Sequence, residues 1–105
     1  MTIERLEREF DVAMEGVYQR AWIEVDYNAA RFLEMLNDHR GLETARRLLN
    51  APHVSDGYTA LWERHRLDLT VEALILQDKW HPLFSDHERE IARKRLADYG
   101  YEFRD

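Results

Sequence analysis

IERLEREFDVAMEGVYQRA, residues Ile3–Ala21, decides the fold. Within it Ile3, Leu6, Phe10, Ala13, Val17 and Ala21 recur three and four residues apart, so they line one face of an α-helix. Thr2 stands where an N-cap belongs. Glu4, Glu7 and Glu9 place negative charge at the positive end of the helix dipole. The periodicity carries on to about Val25 and breaks at Asp26-Tyr27-Asn28. The near-heptad seam suits a bundle, an antiparallel neighbour or a homodimer contact through this first helix. Gly16 interrupts the run at a cost of ~1 kcal/mol relative to Ala, a cost that close approach of another helix would explain.

Outward from that helix the pattern stays helical. Asp26 or Asn28 is placed to cap a second helix over about Ala29–His39, with Phe32, Leu33 and Leu36 inward. Gly41 fits the left-handed position after its end. A third helix covers Leu42–Asn50, with Leu42, Ala45, Leu48 and Leu49 inward and Glu43 paired to Arg47 one turn on. Ala51-Pro52-His53 is a stop. Ser55 caps a fourth helix over about Asp56–His65 with Tyr58, Leu61 and Trp62 on its apolar face. Asp68 or Thr70 caps a fifth, Leu69–Gln77, which is apolar over so much of its circumference that it should be the most buried. Trp80, Leu83 and Phe84 read as a hydrophobic lid. Ser85-Asp86-His87-Glu88 is a capping box, opening a sixth helix that runs to Tyr99 and ends at Gly100. Alternation of period two is nowhere sustained. The expectation is an all-α, single-domain compact bundle of about six helices with a long N-terminal helix, spanning residues 1–105.

Composition narrows the chemistry. Of 105 residues, 15 are Lys or Arg, 21 Asp or Glu, five His and none Cys, for a net charge of −6. Lack of Cys excludes disulfide scaffolds, thiolate zinc sites, iron–sulfur clusters and thiol catalysis. No apolar run approaches the ~18 residues of a membrane span. The opening Met1-Thr2-Ile3-Glu4-Arg5 lacks the basic-then-apolar layout of a secretory signal, and a cytoplasmic location is expected. The four glycines stand far apart, so no phosphate loop or dinucleotide fingerprint can form. Ser55 and Ser85 are both accounted for as caps. His81, Asp86, His87, Glu88 and Glu90 concentrate ligand types, but their spacing matches no metal template and reads as a loop followed by a capping box. The sequence therefore implies no catalytic residue, no metal and no cofactor. A hidden enzyme site would show as a deep pocket holding a polar residue of strongly perturbed pKa.

Two surfaces stand out. Residues 1–26 hold seven acids against three bases, and Glu15, Tyr18 and Trp22 form a stripe one step off the main seam. That stripe is the candidate contact of a non-enzymatic protein-interaction module, with another protein as partner; an acidic inhibitor or antitoxin-like protein is one version of it. The alternative is a nucleic-acid-binding helical domain using Arg40, Arg46, Arg47, Arg64 and Arg66, which requires one contiguous positive face.

The stretches GLETARRLL (41–49), SDGY (55–58), LWE (61–63) and RLDLTVE (66–72), with LFS (83–85) and the ending LADYGY (96–101), resemble a family of short bacterial proteins. The resemblance is strongest from 41 to 101. It implies a bacterial cytoplasmic context and supplies no activity. Within it Arg66 is placed to bridge Asp68 or Glu72, and a functional site there requires Arg66 and Glu72 to be exposed together.

Overall fold

The computed structural model describes residues 2–103. Five α-helices and two 3-10 turns succeed one another, with no strand among the described residues: α1 (Ile3–Val25), α2 (Ala30–Asn50), α3 (Asp56–Glu63), a 3-10 turn (Leu67–Leu69), α4 (Val71–Ile75), a second 3-10 turn (Asp78–Leu83) and α5 (Asp86–Asp98). The chain is all-α, as its periodicity requires.

Local signals start and stop these elements. The Thr2, Ser55, Thr70 and Ser85 side chains each accept a hydrogen bond from the backbone three residues on, capping α1, α3, α4 and α5. The Ser85–Glu88 capping box is complete, with the Glu88 carboxylate accepting from the Ser85 amide at 2.8 Å. Asp26, His65 and Gly100 take positive φ past the ends of α1, α3 and α5. The next amide in each case turns back on the last helical turn, from Tyr27 to Ala21, Arg66 to Leu61 and Tyr101 to Leu96.

Four expectations change. Neither Asp26 nor Asn28 caps α2: Asp26 closes α1 in the left-handed conformation, the Asn28 side chain accepts from the Tyr18 hydroxyl, and Ala29 is an N-cap without a side-chain bond. The expected second and third helices form one bent helix, and the left-handed residue at the bend is Arg40, not Gly41. The expected fifth helix splits into a 3-10 turn and the five-residue α4, because the Thr70 hydroxyl both closes the turn on the Leu67 carbonyl and caps α4 through the Ala73 amide. Close helix approach falls at Gly41 rather than Gly16. A Cβ on Gly41 would lie 2.8 Å from Asp11 Oδ1 and 3.2 Å from the Asp11 Cα, whereas a Cβ on Gly16 would meet nothing within 4 Å.

Phe10 is at the centre of the core, fully buried, with the Trp80 and Phe84 rings edge-on at 5.2 and 5.4 Å. The lid residues Trp80, Leu83 and Phe84 are thus buried in the core, Trp80 and Phe84 against Phe10 of α1. α4 contributes Val71, Ala73 and Ile75 to the buried set, and one charged residue as well, Glu72.

Candidate functional site

α1 buries Leu6, Phe10, Met14 and Ala21 and turns its opposite side to solvent. Val12 and Ile23, eleven residues apart, fall within about 20° of each other on that side. They are 66% and 80% exposed. Trp22, which precedes Ile23, is 48% exposed, its ring edge-on to Tyr18 at 5.9 Å. The Tyr18 hydroxyl donates to Asn28 Oδ1 at 2.8 Å, so Tyr18 is held while Trp22 is open. Glu15 and Tyr18 lie together along a cleft of about 400 Å³ between α1 and the first half of α2, and Trp22 lies outside it. The three residues singled out from sequence are therefore neighbours. Ile23 and Val12 were missed, although both stand opposite the seam by simple helical geometry.

Four of the five arginines fall into two groups: Arg40 and Arg46 line one cleft beside α1, and Arg64 and Arg66 bond the C-terminal end of α1. Arg40 bonds Asp11 at 3.0 Å, and Arg46 bonds Glu88 and the Leu83 carbonyl, each at 3.0 Å. Arg47 bonds Glu43 on its own helix. Arg64 reaches the Val25 and Ala60 carbonyls and lies over the Tyr27 ring. Arg66 is shared by Glu24 and Asp68. Arg40 thus sits opposite Asp11 and Arg66 opposite Glu24, points about 20 Å apart along α1. The hydrogen bonds from Arg20 and Arg66 hold the Glu24 carboxyl below its ordinary range. Burial works against Glu88, yet the Ser85 amide and Arg46 together hold its carboxyl low. Each of these guanidiniums has acceptors within the chain.

Arg66 and Glu72 are not exposed together. Glu72 is 4% exposed and is met instead by Arg95 of α5, at 3.3 Å. Arg95 makes its shorter bonds elsewhere, to the Leu48 carbonyl at 2.9 Å and the Ala51 carbonyl at 2.7 Å. The Tyr58 hydroxyl in turn donates to the Arg95 carbonyl at 3.0 Å. Burial pushes the Glu72 carboxyl above its ordinary range, with its own backbone amide and Arg95 pulling the other way. Burial, then the nearby Glu72 charge, pushes the Tyr58 phenol up. Sequence reading missed this network because charged residues read as surface and the two partners lie on different helices.

Glu72 and Tyr58 border a half-open groove of about 810 Å³ between the first half of α2 and α3 and α4. Its walls include Val17, Ala21, Phe32, Met35, Leu48 and Val54; Glu34, Asp38 and Asp56 stand on it as exposed carboxylates. The groove is half-open to solvent, and a deep pocket of the kind expected for a site hidden from sequence is not what these residues form. Among the described residues no group of three or more His, Asp or Glu is arranged to hold a metal ion, and no helix is long and apolar enough to cross a membrane.

The fold is a helical domain with exposed apolar residues on α1 and a half-open groove beneath the first half of α2. No family model, curated protein or solved structure matches the chain.

Proposed function

We propose that this chain is a non-enzymatic protein-interaction module, working in the bacterial cytoplasm, that docks another protein on the outer face of α1. One observation carries the reading. Among the described residues, three of the five exposed large apolar side chains, Val12, Trp22 and Ile23, lie on that helix outside its buried seam. Trp22 and Ile23 are the anchors, since a half-open tryptophan beside an open isoleucine offers the apolar area that interface hot spots use. Glu15 beside them suits a partner with basic groups at its rim. An inhibitor or antitoxin-like action is one form such a contact can take, and a second copy of the chain is one partner it admits.

The test is affinity capture from nuclease-treated native lysate with the wild-type protein and with a Trp22→Ser, Ile23→Glu double variant of unchanged melting temperature. The expected result is one stoichiometric protein recovered by the wild type and lost with the variant. Equal recovery by both would overturn the reading. Partners lost on nuclease treatment alone would transfer it to the arginines.

A further inference from the structure

We propose that Arg40 is a hinge, latched by Asp11 of α1, on which the first half of α2 swings to open and close the groove beneath it. The hinge is a change of backbone state at one residue. Arg40 has φ 67° and ψ −178°, while the rest of α2 is helical. No proline interrupts residues 30–50. With helical angles at Arg40 the two halves would join into one unbroken helix, and the Gly41 amide would bond the Asn37 carbonyl. Instead that amide bonds Asp11 Oδ1 at 2.7 Å, and the Arg40 guanidinium takes the other oxygen of the same carboxylate at 3.0 Å. The fully buried Thr44 adds one bond across the bend, its hydroxyl donating to the Met35 carbonyl at 3.0 Å. A strained residue held against its preference by a few identifiable bonds is what a two-state element requires.

The second half of α2 is the fixed part. It buries Gly41, Thr44, Ala45 and Leu49, and Arg46 and Arg95 fasten it to α5. The first half buries only Leu36, and its cap, Ala29, makes no side-chain bond. Half-buried Phe32 packs on the core. Across the groove Arg31 meets Asp56 of α3 at 3.6 Å with both side chains 89% exposed, a pair that holds little. Opening therefore gives up the Leu36 and Phe32 contacts, that pair and the bonds at the bend. It recovers an unstrained backbone and a helical bond at Gly41. The half-helix is about 15 Å long, so turning it by about 40° carries Ala30 roughly 10 Å. The four residues between Val25 and Ala30 reach ~17 Å at most, so the moving half stays tethered to α1. Such a swing uncovers Val17, Ala21, Leu48, Val54 and Leu61, the apolar part of the groove's other walls.

The inference does not rest on the α1 docking face and is tested apart from it. The chain has no cysteine, so spin labels go onto the whole protein by substitution, and distances are read by double electron–electron resonance. One pair, Glu34→Cys with Glu63→Cys, spans the groove. The control pair, Glu43→Cys with Glu63→Cys, reports on the fixed half. Asp11→Ala should move population from the bent to the open distance by about tenfold or more. The first pair should shift by ~5 Å or more and the control pair should stay in place. Far-UV circular dichroism should hold or gain helix signal, because the half-helix swings without melting. Arg40→Gly relieves the strain and keeps the Gly41 bond, so it should narrow the first pair to the bent distance. An unchanged first pair in Asp11→Ala, equal movement of both pairs, a loss of helix signal, or broadening by Arg40→Gly would each overturn the hinge. If Asp11→Ala does not fold, Asp11→Asn decides in its place. It keeps an oxygen for the Gly41 amide and loses the ion pair, so the first pair should shift the same way by less, and no shift overturns the proposal.

Discussion

The two halves of α2 share one backbone and almost one length, yet they are held in opposite ways. The second half, from Gly41 to Asn50, buries Gly41, Thr44, Ala45 and Leu49. Asp11 of α1 caps it from outside, accepting from the Gly41 amide at 2.7 Å. Arg46 ties it to α5 through Glu88, and Arg95 holds its last carbonyls. The first half, from Ala30 to His39, buries only Leu36 and starts without a side-chain cap. It has the groove on one side and the α1 cleft on the other. What differs between the halves is tertiary contact, which supplies most of a helix's stability.

The sharpest test of this contrast is native-state hydrogen exchange. Amides of 41–50 should open only near the full unfolding free energy, and those of 30–39 well below it. Matching protection in both halves would erase the distinction. Next comes Arg95→Ala, which strips the Leu48 and Ala51 carbonyls of a donor and leaves Glu72 buried without its cation. A loss of about 3–5 kcal/mol is expected from denaturant melts, with protection of 41–50 falling towards that of 30–39. A loss under ~1 kcal/mol would mean the network anchors nothing. Gly41→Val should cost about 1–3 kcal/mol, because the new Cβ meets the Asp11 Cα and not merely a flexible side-chain end. Gly16→Ala is the control, expected to be neutral or mildly stabilising in the isolated chain.

Glu72 gives the contrast a pH dependence. Its folded-state carboxyl titrates above the ordinary range because of burial. Protonation therefore favours the folded state, and wild-type stability from this group declines as pH rises from the ordinary carboxylate range through the raised value. Glu72→Gln removes that titration. The stability of Glu72→Gln relative to wild type should grow with pH across this window and level off above it. A difference that stays flat with pH, or shrinks, would mean that Arg95 outweighs burial.

Much of this was legible in the sequence, and the remainder has a common physical cause. The seam of α1, the caps at Thr2, Ser55, Thr70 and Ser85, the lid at Trp80–Phe84 and the interruption near residue 40 are local patterns, set by neighbours within a turn or two. Glu72's burial depends on Arg95, and the bend in α2 on Asp11; each partner lies more than twenty residues away. The groove is harder still, since a void is made by side chains that do not touch. Trp22 was found because a tryptophan one step off the seam is conspicuous, whereas Ile23 beside it resembles any other apolar residue.

The smallest expected effect concerns the bend itself. Arg40 has φ 67° and ψ −178°, a region that a residue with a Cβ rarely enters. Holding it there costs about 1–3 kcal/mol. Two bonds to Asp11 make it tolerable: the Gly41 amide to one carboxylate oxygen and the Arg40 guanidinium to the other. The guanidinium is three-quarters exposed, and such an ion pair contributes at most ~1 kcal/mol. Arg40→Gly removes the strain, keeps the Gly41 amide bond and loses only the exposed pair. It should stabilise the protein by about 1 kcal/mol. Arg40→Ala loses the same pair without relieving the backbone, so it should be destabilising by a few tenths of a kcal/mol. The comparison of the two variants isolates the backbone term. If both destabilise alike, the bend is unstrained and the two halves of α2 differ through packing alone. If Arg40→Gly stabilises while protection of 30–39 stays low, strain at the junction and loose seating of the first half are separate properties.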